Sequence, residues 1–287
     1  MDGPEALAAN YSHWESLAAF HGTGDDSYYD LDLLRRGGSL MAPEELTALE
    51  IATDGDGVAG CDVMHLQCHI GCDSISLARM GARVTSVDFS GTALSRLGVL
   101  ASECGVSVST VEADATALPS NLSDRFDYVY ATIGALCWIA DLDAWMRSVA
   151  GALRVGGRLI LVELHPIVTM VESVDPLVVD FPYAFDGPHT YSGTGTYANR
   201  DADIEWTTVQ YAHSISEVVM SALRAGMSLR HLEEHLSGSF NTGQFEEPEQ
   251  DGRYRLRLGV GAERDGTREP ACPMPVLFSF VAERDAP

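Results

Sequence analysis

Basic residues are scarce in this sequence, which has 18 Lys and Arg against 42 Asp and Glu among 287 residues, a formal charge of −24. Phosphate backbones and anionic membrane surfaces attract basic patches, whereas a field of this sign repels both. We therefore expect neither nucleic acid nor a membrane as a partner. The hydrophobic content of 46% is enough for a core and argues against a disordered chain despite the charge.

Long apolar runs and closely spaced cysteines are also lacking. The apolar run at 129–140 falls short of the roughly 18 residues that a membrane span needs, and Asp141 ends it. The acidic N-terminal residues predict no secretory signal, because neither a basic nor an apolar segment is present. Six cysteines without the spacing of a disulfide framework predict reduced thiols, so we expect a cytoplasmic protein.

Strand-like and helix-like stretches alternate through the middle of the chain. Apolar runs predict strands at 62–67, 83–87, 106–112, 126–132 and 158–164. Helical spacing predicts helices at 74–80, 90–104 and 142–153, the last with Asp141 as its N-cap. This alternation is typical of an α/β, doubly wound and mainly parallel sheet.

The two ends of the chain complete this core in our interpretation. We predict an N-terminal helical cap at residues 1–60 and the core at 61–166. Residues 167–212 lack clear periodicity and are predicted to form an inserted lid, and residues 213–287 are predicted to complete the sheet. A capping box at Ser214-Ile-Ser-Glu217 predicts a helix to about 225, followed by strands at 227–235 and 276–283. The polar stretch 246–266 predicts a mobile surface loop.

Two segments carry the predicted chemistry, Val63-Met-His-Leu-Gln-Cys-His-Ile-Gly-Cys72 and Val84-Thr-Ser-Val-Asp-Phe-Ser90. In a doubly wound sheet the turn after the first strand lets backbone N–H groups approach a ligand, and an acid ending the second strand can accept both ribose hydroxyls. Asp88 occupies that second place. The alternative for Asp88 is an N-cap of the helix that starts near residue 90.

At these segments the chain resembles the class I S-adenosylmethionine-dependent methyltransferases, over residues 62–163. Asp88 follows His65 by 23 positions, the separation of the two acids in the family pattern. Glu112-Ala-Asp-Ala115, the strand at 126–130 and the Gly-Gly turn at 156–157 match later landmarks in order. The resemblance implies a Rossmann-like, seven-stranded sheet and S-adenosylmethionine as cofactor, with S-adenosylhomocysteine as product.

The resemblance also implies which residues bind the cofactor. Asp88 would hold the ribose, Asp114 the adenine, and the turn the methionyl end; the full set is Tyr28, His65, Gln67, His69, Gly71, Asp88, Phe89, Asp114, Ala115 and Ala131. In the family a carboxylate at the position of His65 helps to hold the ammonium, so a neighbour must substitute for it here. Gln67 and His69 replace two family glycines, which is similar to a small-molecule branch with a His-Leu-Gln-Cys-His turn.

Two histidines are candidate general bases for methyl transfer. His165 directly follows the fifth strand and precedes Pro166, and His213 precedes the capping box. The alternative for both is a side chain that shapes its loop. Aromatic residues would suit a pocket that closes over the substrate, and their faces favour the sulfonium charge, although most are expected to be packing. They are Tyr28 and Tyr29 near the N-terminus and, in the lid, Phe181, Tyr183, Phe185, Tyr191, Tyr197 and Trp206.

Cys68, His69 and Cys72 lie close together but lack a second ligand pair at zinc spacing, so we expect no metal. The sequence thus favours a methyltransferase acting on an O, N or C atom of a neutral, zwitterionic or cationic small molecule. One alternative is a methyltransferase fold with non-methylating chemistry such as cyclisation. Another is a non-catalytic protein that binds a nucleoside-like ligand, and a homodimer stays open.

Overall fold

The computed structural model describes residues 3–22, 28–174, 176–239, 249–258, 263–264, 267–268 and 272–286. The helices are α1 Gly3–Phe20, α2 Leu31–Arg35, α3 Pro43–Ala52, α4 Cys72–Arg79, α5 Gly91–Glu103, α6 Leu142–Ala152, α7 Pro166–Met170 and α8 Ile215–Arg224. The strands are β1 Asp62–Leu66, β2 Arg83–Asp88, β3 Ser109–Glu112, β4 Phe126–Thr132, β5 Leu153–Leu164, β6 Val171–Val174, β7 Leu177–Val179, β8 His189–Thr194, β9 Glu205–Gln210, β10 Met227–His235, β11 Leu256–Leu258, β12 Glu263–Arg264, β13 Thr267–Arg268, β14 Cys272–Met274 and β15 Leu277–Arg284.

The main sheet has seven strands in the order β10-β15-β5-β4-β1-β2-β3. The strands β1 to β5 pair in parallel, and β15 is antiparallel to both β5 and β10. The predicted α/β, doubly wound and mainly parallel seven-stranded sheet is therefore confirmed. From β1 the chain continues to β2 and β3 on one side and then returns to β4 and β5 on the other side, so the strand order reverses between β1 and β4. Ligands bind at such a switch point in open α/β sheets.

Apolar side chains cover the sheet on both faces, as the near-continuous apolar strands predict. Alternate residues of β1 point to opposite faces, with Met64 in the cluster that contains Trp145 of α6 and Val63 in the cluster that contains Leu77 of α4. Trp145 is completely buried. The position of β1 is therefore fixed from both sides, which holds the turn that follows it.

Most predicted elements are present, and the largest differences are in β5 and in the stretch 246–266. Strand β5 begins at Leu153 instead of 158, because Leu153 already pairs with Phe126 ahead of a register shift. The stretch 246–266 contains the strands β11 and β12. Strand β11 pairs with β14, and Leu256 is buried among Val168, Val171 and Val276. The prediction of a loop was wrong there, and residues 246–248, 259–262 and 265–266 lie outside the described residues.

The N-terminal helix α1 joins the predicted lid to the core. Asn10, which is buried, exchanges two hydrogen bonds of 2.8 Å with the backbone of Val209 in β9. Glu15 accepts hydrogen bonds from Ser90 and Thr92 at the start of α5. Within the lid range, β6 pairs with β7 and β8 with β9, two hairpins that the sequence pattern did not reveal. None of the helices in the described ranges combines the length and apolar character of a membrane span.

Candidate active site

A cavity of about 1220 Å³ lies at the carboxyl ends of the central strands. Its walls come from the turn after β1, the end of β2, the segment after β3 and the loop after β4, and from α1 and the lid. Nine of the ten predicted cofactor-binding residues line it: Tyr28, His65, Gln67, His69, Gly71, Asp88, Phe89, Asp114 and Ala115. Ala131, which is part of β4, does not, because its side chain is buried in the core cluster that contains Trp145.

The turn after β1 keeps a left-handed backbone at three alternate positions. The φ angles are 55° at Gln67, 48° at His69 and 71° at Gly71. This conformation costs a non-glycine residue about 1–2 kcal/mol. Gly71 is required by space as well, since an added Cβ would lie 2.4 Å from Cδ1 of Leu97. The turn thus has the course of a glycine-rich turn with only one glycine in it.

Side-chain hydrogen bonds support the two residues that replace glycine. Gln67 Nε2 donates to the carbonyl of Ala135 at 3.0 Å, and Gln67 Oε1 accepts from Trp145 Nε1 at 2.9 Å. The ring nitrogen Nε2 of His69 lies 2.9 Å from Nδ1 of His21. Burial, followed by the nearby His21, lowers the pKa of His69 to about 3, so this ring is neutral. The replacements are therefore built into the surrounding structure.

Asp88 ends β2 with its carboxylate against the turn. Its Oδ2 accepts from the N–H of His69 at 2.8 Å and its Oδ1 from the N–H of Ser90 at 2.9 Å. Each carboxylate oxygen can accept a second hydrogen bond, so capacity for ligand hydroxyls is left. Burial raises the pKa of Asp88 to about 6. The N-cap of α5 is Ser90, whose hydroxyl accepts from Ala93, so the alternative role for Asp88 was wrong.

Asp114 and its neighbours form the wall next to Asp88. Asp114 Oδ1 accepts from both the N–H and the hydroxyl of Thr116 at 2.8 Å. The part of the chain that the structure describes gives Asp114 Oδ2 no hydrogen bond. Phe89 packs edge-on against Tyr11 of α1 with ring centroids 5.6 Å apart. Tyr28 lies 5.2 Å from the ring of Tyr197 in the lid, and 49% of its surface is exposed.

His65 carries no charge at the end of β1. Its Nδ1 lies 2.8 Å from the hydroxyl of Ser74, which also accepts a hydrogen bond from Ser86. Burial lowers the pKa of His65 to about 3. A neutral imidazole held in this way supplies no negative charge to the cavity.

Four acids that the sequence interpretation missed also line the cavity, Asp30, Glu45, Asp73 and Glu163. Glu163 accepts hydrogen bonds from the N–H groups of Gly134, Ala135 and Leu136, and so fixes the loop after β4. Burial raises the pKa of Asp73 to about 6 and that of Glu45 well above its usual range. Asp73 lies two positions after Gly71, a signal that could have indicated it, whereas Glu45 comes from distant α3.

The two candidate bases have different surroundings. His213 lines the cavity and its Nε2 lies 2.7 Å from the carbonyl of Ile139, which can only accept. His165 is 1% exposed and does not line the cavity. Its Nδ1 accepts from the N–H of Ile167 and its Nε2 lies 2.7 Å from Glu234. The structure therefore brings His213 to the site, and a catalytic role for His165 stays a prediction.

Aromatic rings surround the part of the cavity between α1 and the lid. Of the aromatics predicted to suit the pocket, Tyr28, Tyr29, Phe181 and Tyr197 line it, together with residues that the sequence interpretation missed: His13, Trp14, Trp138 and Tyr211. Burial lowers the pKa of His13 to about 4. The described ranges contain no group of three or more His, Cys, Asp and Glu arranged to hold a metal ion.

The comparisons with known proteins agree with this geometry. Residues 63–157 match the family model of a methyltransferase domain. An S-adenosylmethionine-dependent methyltransferase from Mesorhizobium loti has a similar structure, with a TM-score of 0.56, 18% identity and coverage of 84% of this chain and 96% of that one. A putative S-adenosylmethionine-dependent methyltransferase from Listeria monocytogenes has a TM-score of 0.55 and 16% identity, and the match covers 85% of this chain and 96% of that one.

A third similar structure is titled "Conversion of a Disulfide Bond into a Thioacetal Group during Echinomycin Biosynthesis". It has a TM-score of 0.57 and 16% identity, and the match covers 96% of this chain and 93% of that one. None of the curated proteins compared with the chain matches it in sequence.

The fold and the site define a doubly wound α/β protein with a ligand cavity at its switch point. Residues 63–157 match the family model of a methyltransferase domain, and S-adenosylmethionine-dependent methyltransferases share the fold of this chain. The resemblance and the cofactor predicted from the sequence are thereby confirmed. The donor set fits, since ribose hydroxyls, the adenine amino group and an ammonium are donors and the lining offers the acceptors Asp88, Asp114 and Asp73.

Proposed function

We propose that the protein transfers a methyl group from S-adenosylmethionine to a small organic molecule enclosed between the core and residues 167–212. The observation that carries this proposal is one cavity that extends from the turn at Gln67–Gly71 to Tyr197, Tyr211 and His213. Its volume of about 1220 Å³ exceeds the ≈ 300–1,000 Å³ of ordinary small-molecule pockets. A second molecule can therefore lie beside the cofactor.

The lining residues divide between the parts of the cofactor. Asp88 would accept hydrogen bonds from the ribose hydroxyls, and Asp114 Oδ2 one from the adenine amino group. The turn would hold the methionyl end. When bound, S-adenosylmethionine supplies a methyl group on a positively charged sulfur. The rings of Trp14 and Trp138 line the same cavity, and aromatic faces favour a cation.

His213 is the base that we propose for an acceptor that must lose a proton. Its Nε2 donates to the Ile139 carbonyl, so in the neutral ring Nδ1 is the atom that can take a proton. Burial is the main reason why the pKa of His213 is lowered, which keeps the ring neutral near pH 7. An acceptor carbon that loses no proton in the transfer would not need it.

The charges around the cavity favour some acceptors over others. The lining includes one cation among the described residues, Arg200, against six acids: Asp30, Glu45, Asp73, Asp88, Asp114 and Glu163. A field of this sign attracts cations and repels anions. We therefore propose a neutral, zwitterionic or cationic acceptor.

A calorimetric titration and a labelling experiment test the proposal. S-Adenosylmethionine and S-adenosylhomocysteine should both bind at sub-millimolar concentration, and Asp88→Ala should weaken binding by about 1.5–3 kcal/mol. The protein should then move a labelled methyl group from the cofactor into a protein-free small-molecule extract. Failure of both ligands to bind refutes the proposal. Binding without transfer favours the non-methylating or non-catalytic alternative, and label in nucleic acid or protein contradicts a small acceptor.

A further inference from the structure

Two carboxylates at the cavity wall have no cationic partner. Asp73 of α4 and Glu45 of α3 both line the cavity, and Glu45 is 4% exposed. Within the described ranges neither forms an ion pair. Asp73 accepts a hydrogen bond from the Thr132 hydroxyl at 3.4 Å, and Glu45 accepts one from the N–H of Ala42 at 2.5 Å. Most of their acceptor capacity is thus left for something else.

The two acids act on each other and on a third group. Burial, and next the charge of Asp73, raises the pKa of Glu45. The same two charges, after burial, raise the pKa of Tyr130. The Tyr130 side chain is fully buried beside them. Unpaired charges are costly in such a place unless a cation or a proton neutralises them.

The position of the pair points to one part of the cofactor. Asp88 contacts the N–H of His69 in the middle of the turn, and Asp73 follows the end of that turn. A ligand whose ribose lies at Asp88 directs its methionine part along the turn towards Asp73. His65 at the end of β1 is neutral, so it supplies no charge there.

We propose that Asp73 and Glu45 form the binding site for a primary ammonium group, that of the methionine moiety of S-adenosylmethionine. The pair takes over the negative charge that is missing at His65, and it comes from two other elements of the fold. This proposal rests on the proposed function only in requiring that the cofactor binds.

Because of this pair of acids, we expect protons to be released when the cofactor binds. The groups that face the two acids are Glu44 from α3, whose charge is paired with that of Arg253, Cys68 from the turn and Tyr130 from β4. Without a ligand, no described cation balances the pair, so it retains a proton near pH 6. An arriving ammonium replaces that proton, which goes to the buffer.

The test compares two adenosine ligands by calorimetry. S-Adenosylhomocysteine carries the ammonium, whereas 5′-methylthioadenosine has the same adenosine and sulfur without it. Asp73→Asn should weaken binding of S-adenosylhomocysteine about tenfold or more and leave binding of 5′-methylthioadenosine unchanged. Glu45→Gln should act in the same direction. Asp114→Asn, at the adenine end, is the matched control and should weaken both ligands.

Proton release is the second measurement. Calorimetric titrations at pH 6 in buffers of different ionisation enthalpy measure the protons released on binding. The wild type should release protons with S-adenosylhomocysteine and none with 5′-methylthioadenosine. Asp73→Asn should release fewer protons with S-adenosylhomocysteine than the wild type does. Wild-type affinity in Asp73→Asn, or equal weakening of both ligands, overturns the proposal. If Asp73→Asn does not fold, Glu45→Gln decides by the same criteria. A wild type that binds neither ligand refutes the cofactor assignment as well, which separates the two failures.

Discussion

Gln67 accepts a hydrogen bond from the indole N–H of Trp145 at 2.9 Å while its backbone holds a φ of 55°. Trp145 is completely buried, so this N–H has no access to water. The same side chain donates to Ala135 in the loop after β4. The residue that replaces a glycine thus joins the turn, that loop and α6, and these bonds offset the strain of its left-handed backbone.

Replacing Gln67 by alanine tests this account. Gln67→Ala keeps the unfavourable φ and leaves the buried Trp145 N–H without a partner, which costs about 1–3 kcal/mol. We expect a lower free energy of unfolding, measured by urea denaturation, and weaker binding of S-adenosylhomocysteine because the turn shifts.

Trp145→Phe provides the control, because it removes the donor and keeps an aromatic ring. In the Trp145→Phe background, Gln67→Ala should cost less, with a coupling energy of about 0.5–3 kcal/mol in the double-mutant cycle. Additive effects would show that the hydrogen bond does not support the turn.

Local patterns in the sequence were sufficient for the strands, helices and caps of the core. The capping box at Ser214 and Glu217 is present as predicted, and Asp141 caps α6. The 23-residue separation located Asp88 beside the turn. These features depend on neighbours within a few residues or on one crossover unit, so the sequence encodes them directly.

The missed residues depend on contacts between distant segments. Glu45 reaches the cavity from α3, and Glu163 stands out only as an acid that ends an apolar strand. Nothing local indicates that Glu163 accepts three backbone N–H groups of the loop after β4. His165 illustrates the reverse case, since its place after β5 suggested a base while Glu234 and Ile167 occupy both ring nitrogens.

The two histidines are distinguished by their variants. His213→Ala should lower turnover by about 10²- to 10⁴-fold for an acceptor that loses a proton, as expected for removal of a general base. Affinity for S-adenosylhomocysteine should stay unchanged. His165→Ala removes the N-cap of α7 and should cost about 0.5–2 kcal/mol of stability with little change in turnover. The opposite result, with turnover lost only in His165→Ala, would make His165 the base.

The stability of the ligand-free protein should depend on pH through Asp73. Because its folded-state pKa is raised from 3.8 to about 6, the folded protein holds this proton more tightly than the unfolded chain. Stability from this group is therefore present below about pH 4, declines as the pH rises towards 6 and stays lower above that. Asp73→Asn should melt at a higher temperature than the wild type at pH 7.5, with the difference shrinking at pH 4.

Asp251 provides a matched control, because its pKa is shifted in the opposite direction to that of Asp73. Asp251 is exposed, and its hydrogen bond with Arg255 is the main reason why its pKa is lowered to about 2. Its contribution is present above the unfolded pKa and is lost as the pH falls, so Asp251→Asn should not raise the melting temperature at pH 7.5. Equal responses of the two variants would argue against unpaired charge at Asp73.

Alanine substitutions at two glycines near Leu97 should have opposite effects on stability. Gly71 has a φ of 71°, and an added Cβ would meet Cδ1 of Leu97 at 2.4 Å. Gly71→Ala should destabilise the protein by about 2–5 kcal/mol, from left-handed strain and overpacking together, and weaken cofactor binding. Gly98 lies in α5 beside Leu97, with no atom within 4 Å of an added Cβ. Gly98→Ala should therefore raise stability by about 0.5–1 kcal/mol and leave binding unchanged. Because both variants add one methyl group, a similar loss in the two would show that the course of the turn does not require glycine at 71.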